Sequence, residues 1–227
     1  MAGTPDEARS GSREPESYTW PLVAIAIAIT PQVLIPARDR IGPLGIVPAI
    51  ETAAFLVMLL IAAKPGPVPR GARSTILVLF SLLVFANTVA AGRLVLLVLN
   101  GSKLGGQPLE AKRLLVAAGL VLLANIITFG LLYWELDSGG PRGRVGPATQ
   151  YPDFHFPQIG VEGLAPPGWQ PRFADFLYVA FTGAVAFSPT DAMPLTVRAK
   201  ALMALQAMIS LGVLVVVLAR VINILPG

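Results

Sequence analysis

The stretch DFLYVAFTGAVAFSPTDAMPLT, residues 175–196, decides how this chain is read. It opens as an apolar helix beginning near Phe173, but the apolar run ends after about residue 185, too soon to cross the roughly 30 Å of a bilayer's hydrocarbon core. A Ser188-Pro189-Thr190-Asp191 turn follows, and from Thr196 a long apolar run continues to Leu225. Upstream, residues 137–171 are rich in Gly, Pro, Asp and aromatics, and before them residues 114–136 form an apolar run closed by Tyr133-Trp134 at interfacial depth. The order is span, external loop or lid, half-helix, turn, span. A half-helix at membrane depth survives only where it is buried in protein or lines a water-filled cavity, because lipid offers its end groups no hydrogen bonds.

Three more apolar runs precede this unit. Residues 20–36 carry Pro31 and are short for a span, residues 45–63 end at the breaker Lys64-Pro-Gly-Pro-Val-Pro-Arg70, and residues 74–99 end at Asn100-Gly101. Residues 1–18 read as a disordered polar tail, with no basic segment leading into a cleavage site. The expected fold is therefore an all-α polytopic membrane protein of about five transmembrane helices plus one re-entrant pore half-helix. Its expected organisation is the tail 1–18, three N-terminal spans in 19–107, and a pore-like module in 108–227. That module comprises a span, the loop 137–171, a pore helix 173–185, a filter-like turn 186–191 and an inner helix 196–225.

Composition agrees. Apolar residues make up 54% of the 227 and charged ones 13%, which excludes a soluble domain and points to a multi-pass protein of the cell membrane with the bilayer as its first partner. The formal charge of +4 lies between and at the ends of apolar runs, not in one stripe, so nucleic acid is not an expected partner. The absence of cysteine excludes disulfides and thiolate metal sites; neither a metal nor a cofactor is expected. The chain carries no HExxH, GxSxG or glycine-rich phosphate loop, so enzyme chemistry is not expected either.

The residues of the opening stretch carry a resemblance. From Leu177 to Thr196, without a gap, they resemble the pore helix and post-filter segment of two-transmembrane potassium channels, whose pattern reads DxLYFSFxTLTTVGYGDxxPLT. The resemblance covers about half the chain, from Leu114 to Leu225, and puts Asp191 on the aspartate that closes the filter and Gly212 where the family often has a hinge glycine. It implies a homotetramer conducting monovalent cations along a central axis, with Gln206 and Ser210 either lining a cavity or bonding a neighbouring helix. The filter itself departs from the family: Ala186-Phe187-Ser188-Pro189-Thr190 stands in place of Thr-Val-Gly-Tyr-Gly. Both glycines that give a potassium filter its unusual backbone are missing, Pro189 removes a donor, and Ala186 lacks a hydroxyl. A stacked potassium filter is not expected from these residues. A pore helix aiming its negative dipole end inward, with Ser188, Thr190 and Asp191 at the constriction, would still favour cations.

Other polar residues lie within apolar runs. Glu51 and Arg93 sit at similar depth in successive spans and are expected to form an intramembrane ion pair, an ion relay being the alternative. Asn87 and Asn125 suit interhelical hydrogen bonds, and His155, the only histidine, lies in the external loop. A single arginine in the third span does not make a voltage sensor. With the pore loop entering from outside, Lys64, Arg70 and Arg73 fall outside against Arg38, Arg40, Lys103, Lys112 and Arg113 inside, a weak positive-inside bias. Two functional expectations stand: a tetrameric cation-channel-like protein with a non-standard filter, and a non-conducting membrane subunit whose hairpin packs and whose external loop binds a partner.

Overall fold

The computed structural model of the chain describes residues 16–34, 46–64, 66–100, 110–145, 151–159, 161, 163–166, 168–186 and 192–224. Each apolar run closes as a helix, the form that satisfies its backbone internally. The helices are α1 Thr19–Leu34, α2 Ile46–Ala62, α3 Arg70–Leu99, α4 Ala111–Leu136, α5 Phe173–Val185 and α6 Val197–Ile224. Of these, α3, α4 and α6 are long and apolar enough to cross a membrane, while α1, α2 and α5 are shorter apolar helices. Pro21 sits in the first turn of α1 and Pro69 caps α3, positions that need no backbone donor. Helix α4 gives way to a 3-10 turn at Asp137–Gly139, where Ser138 takes a positive φ of 51°. At the head of α5, the Asp175 carboxylate accepts the Arg172 backbone N–H at 2.7 Å.

Side-chain contacts fix the helix directions. Glu16, just before α1, bonds Trp134 near the end of α4 and the backbone N–H of Phe173 at the start of α5. Arg142 reaches the Ile61 carbonyl at the end of α2, Arg73 at the start of α3 meets Glu135, and Arg198 at the start of α6 meets Asp153. One polar layer thus gathers the beginnings of α1, α3, α5 and α6 and the ends of α2 and α4. Helix α5 runs away from that layer in the same direction as α6, whereas Met193 is back at the layer, paired with His155.

Helix α4 is central, packing against α1, α3, α5 and α6. Gly130 lets the backbones of α4 and α5 touch, since a Cβ there would lie 3.1 Å from the Leu177 Cα. Gly183 likewise leaves room for the Gln206 amide, 3.2 Å from where a Cβ would be.

The segment 137–171 is less open than its composition suggests. Strand β1, Phe154–His155, pairs antiparallel with β2, Met193–Pro194. Phe154 and Phe156 are fully buried, their rings 5.0 Å from Tyr133 and 5.3 Å from Phe176 respectively. The aromatics that read as loop-formers close a small core over the end of α4 and the start of α5.

Candidate functional site

Two polar groupings join α4, α5 and α6. The first is the polar layer. Asp137 accepts the backbone N–H groups of Asp153 and Phe154 at 2.8 and 3.1 Å and the Ser138 hydroxyl at 2.9 Å. Arg144, 5% exposed at its side chain, pairs with Asp137 at 3.7 Å and Glu16 at 4.0 Å, and it donates to the Trp134 carbonyl at 2.8 Å. Burial pulls the guanidinium's proton affinity below its usual value, and Asp137 and Glu16 oppose that pull. Asp153, wholly buried, takes both Arg198 Nε and an Arg198 terminal nitrogen, at 2.6 and 2.5 Å, and the Thr196 hydroxyl. The charges form a relay of contacts from the chain before α1, through the segment between α4 and α5, to the head of α6.

The second grouping ties α4, α5 and α6 together below that layer. The Tyr133 hydroxyl donates to Gln206 Oε1 at 2.8 Å, and Gln206 Nε2 donates to the Ala180 carbonyl at 2.8 Å, all buried. One side chain of α6 therefore clamps α4 and the half-length helix α5.

The structure describes only some of the residues expected to act together. Ala186 ends α5, exposed, its N–H bonded to the Thr182 carbonyl at 2.8 Å. Phe187, Ser188, Pro189, Thr190 and Asp191 lie outside the described residues. Gln206 and Ser210, expected to face a cavity or a neighbouring helix, are 0% exposed within the chain. Gln206 has both amide ends bonded inside the protomer, and the Ser210 hydroxyl has no partner among the described residues. Helix α6 runs unbroken through Gly212, which is half-buried with open space beside its Cα.

Within the protomer, Glu51 is buried on α2, whereas Arg93, its expected ion-pair partner, lies on the exposed side of α3 beside buried Ala91 and Leu94. Depth along the helices matches, but the helix face does not.

Sequence reading missed Asp137, Arg144, Arg198 and the Tyr133 hydroxyl. Asp153 was visible only as a neighbour of His155, and Tyr133 only as an interfacial aromatic. Among the described residues, no three His, Asp or Glu side chains gather where they could hold a metal ion. Comparison with protein-family models, curated proteins and solved structures finds no match for this chain.

Proposed function

We propose that this chain is one protomer of a homotetrameric, cation-channel-like membrane protein of the cell membrane, with five helices crossing the bilayer and α5 as a re-entrant half-helix. The observation that carries this reading is the end of α5. At 1.5 Å per residue, α5 reaches roughly 20 Å from the polar layer and stops beside α6, with Val185 and Ala186 exposed. The last carbonyls of a helix have no partner within it, and lipid supplies none, so this end needs polar partners from the chain that follows, from water or from another copy. Those carbonyls are the negative end of the helix dipole, which favours a cation over an anion there. The alternation of α1 to α4 and α6 about the polar layer supports five crossings. Exposed Tyr178 and Phe181 on α5 and Leu205 and Met208 on α6 supply an apolar surface for neighbouring copies.

A second reading is favoured by Gln206 and Ser210, which are sealed inside the protomer and leave α6 an apolar outer face. In it, the half-helix is a packing device in a non-conducting subunit, and the closed external segment meets a partner.

Native mass in mild detergent followed by cation flux in liposomes separates the two. The pore reading expects a tetramer, flux of potassium or sodium, and reduced flux in Asp191→Asn. A stable monomer, or a tetramer without flux, favours the second reading.

A further inference from the structure

Away from α5, a groove of about 390 Å³ opens between the end of α2 and the start of α3. Its wall is apolar, formed by Val57, Leu60 and Ile61 of α2 and Ala72 of α3, and its mouth carries two cations, Lys64 and Arg142. Arg142 is held by carbonyls alone: it donates to Gly66 at 2.7 Å and Ile61 at 2.7 Å, and it lies 5.5 Å from the centre of the Tyr18 ring. These contacts orient the guanidinium without neutralising it, and they leave three of its five N–H donors for another acceptor. Lys64 is exposed, and among the described residues no carboxylate lies within ion-pair distance of either cation. An oriented guanidinium and an exposed ammonium at the head of an apolar groove make an electrostatic site that no carboxylate among the described residues fills.

The location selects the occupant. The cations sit at the polar layer, beside the α2–α3 turn, while the groove descends along helices whose outer faces are apolar, with Leu56, Leu59, Val78 and Phe85 exposed. A soluble anion would gain the charges but leave the apolar wall bare, and an apolar molecule would leave the charges unmet. We propose that this groove holds one phospholipid of net negative charge per protomer, its phosphate between Lys64 and Arg142 and its acyl chain along Val57, Leu60 and Ala72. Arg142 offers a planar fork suited to phosphate oxygens, and Lys64 a mobile point charge. Zwitterionic lipids bring the same phosphate but also a cation that offsets it, so the site discriminates by headgroup charge. The inference needs the chain in a bilayer and is independent of whether α5 lines a pore.

The test is native mass spectrometry of the purified full chain, titrated with dioleoyl phosphatidylglycerol or dioleoyl phosphatidylcholine. One phosphatidylglycerol retained per protomer is expected at concentrations where phosphatidylcholine is not held. Lys64→Glu should weaken that retention about ten-fold, and Leu60→Trp, which fills the groove from an exposed position, should weaken it by a similar factor. Both variants should keep the wild-type melting temperature in phosphatidylcholine, since neither side chain is buried. Equal retention of the two lipids, or wild-type retention by both variants, overturns the proposal. Inorganic phosphate that competes with phosphatidylglycerol and raises the melting temperature equally would make this a free-anion site and overturn the lipid assignment.

Discussion

The polar layer and the middle of the helix bundle differ in the partners they give to buried polar groups, charged ones at the layer and, for three side chains of the mid-bundle, none among the described residues. At the layer, the Asp137 and Asp153 carboxylates are buried and engaged, and charge meets charge, the Arg73 Nε and one Arg144 terminal nitrogen having carboxylates at 3.6 and 4.0 Å though no hydrogen bond among the described residues. Deeper in the bundle, Asn125 on α4 is fully buried with neither amide atom bonded, and the Ser210 hydroxyl on α6 and the Asn87 amide nitrogen on α3 have no partner either. Counted from the layer at 1.5 Å per residue, these three lie roughly 18–21 Å along their helices. Those helices pack against one another. A satisfied buried network fixes one arrangement of the chain, whereas unsatisfied groups hold free energy in reserve. The layer therefore works as the clasp of the fold, and the mid-bundle amides are where the fold is not at its stability optimum.

Breaking the clasp should have the largest effect. Asp137→Ala leaves Arg144 with its nearest carboxylate gone and orphans two backbone N–H groups, those of Asp153 and Phe154. Removing one partner of a buried charged network costs about 3–5 kcal/mol, which corresponds to a fall of roughly 10 °C in the melting temperature in detergent. Circular dichroism melts of the purified variant check this. A fall of only a degree or two would show that the external segment is not what locks α4 to α5 and α6.

The clamp beneath the layer should be worth less, because interhelical hydrogen bonds in membranes average below about 1 kcal/mol. Tyr133→Phe leaves Gln206 Oε1 unbonded and is expected to cost about 1 kcal/mol. Gln206→Leu costs a similar amount. The double variant should cost less than the sum of the two, since it leaves no orphan: the Ala180 carbonyl still has its place in the α5 ladder. Strict additivity in the melting data would mean that the two side chains act separately.

How much of this was legible in sequence follows from the same physics. The helix bounds were readable because apolar runs and Pro or Gly breakers are local signals. The run 173–185 matches α5, and residues 114–136 differ from α4 only at the start. The clasp was not readable, because Asp137, Arg144, Asp153 and Arg198 lie in or beside a stretch whose composition signals irregular chain, and their pairing depends on how that chain closes. For Glu51 and Arg93, depth can be counted from a sequence, but each residue turns a helix by about 100°, and within the protomer Arg93 falls on the outer face of α3 between the positions that α3 buries. For Gln206 the structure shows the helix-bonding alternative, to Tyr133 of α4 and Ala180 of α5; a polar side chain on an apolar helix marks a protected face without saying which neighbour protects it.

The smallest expected effect has the opposite sign. Asn125→Leu replaces an amide that has no hydrogen bond with an apolar side chain of similar size, so the desolvation cost of the amide is removed without creating an orphan. The expected result is a gain of up to about 1 kcal/mol, seen as a melting temperature a few degrees above wild type. The amide sits where three packed helices leave buried polar groups at a common depth, so the gain in stability should be read together with cation flux from the same preparation. A variant that is more stable and conducts as wild type does would make Asn125 an unoptimised packing residue. More stability with less flux would mean that the unsatisfied amide holds water or an ion within the protomer, and that its cost to the fold serves transport. A loss of stability would show that Asn125 has a buried water as its partner, and the contrast between clasp and mid-bundle would then be one of direct against water-mediated bonds.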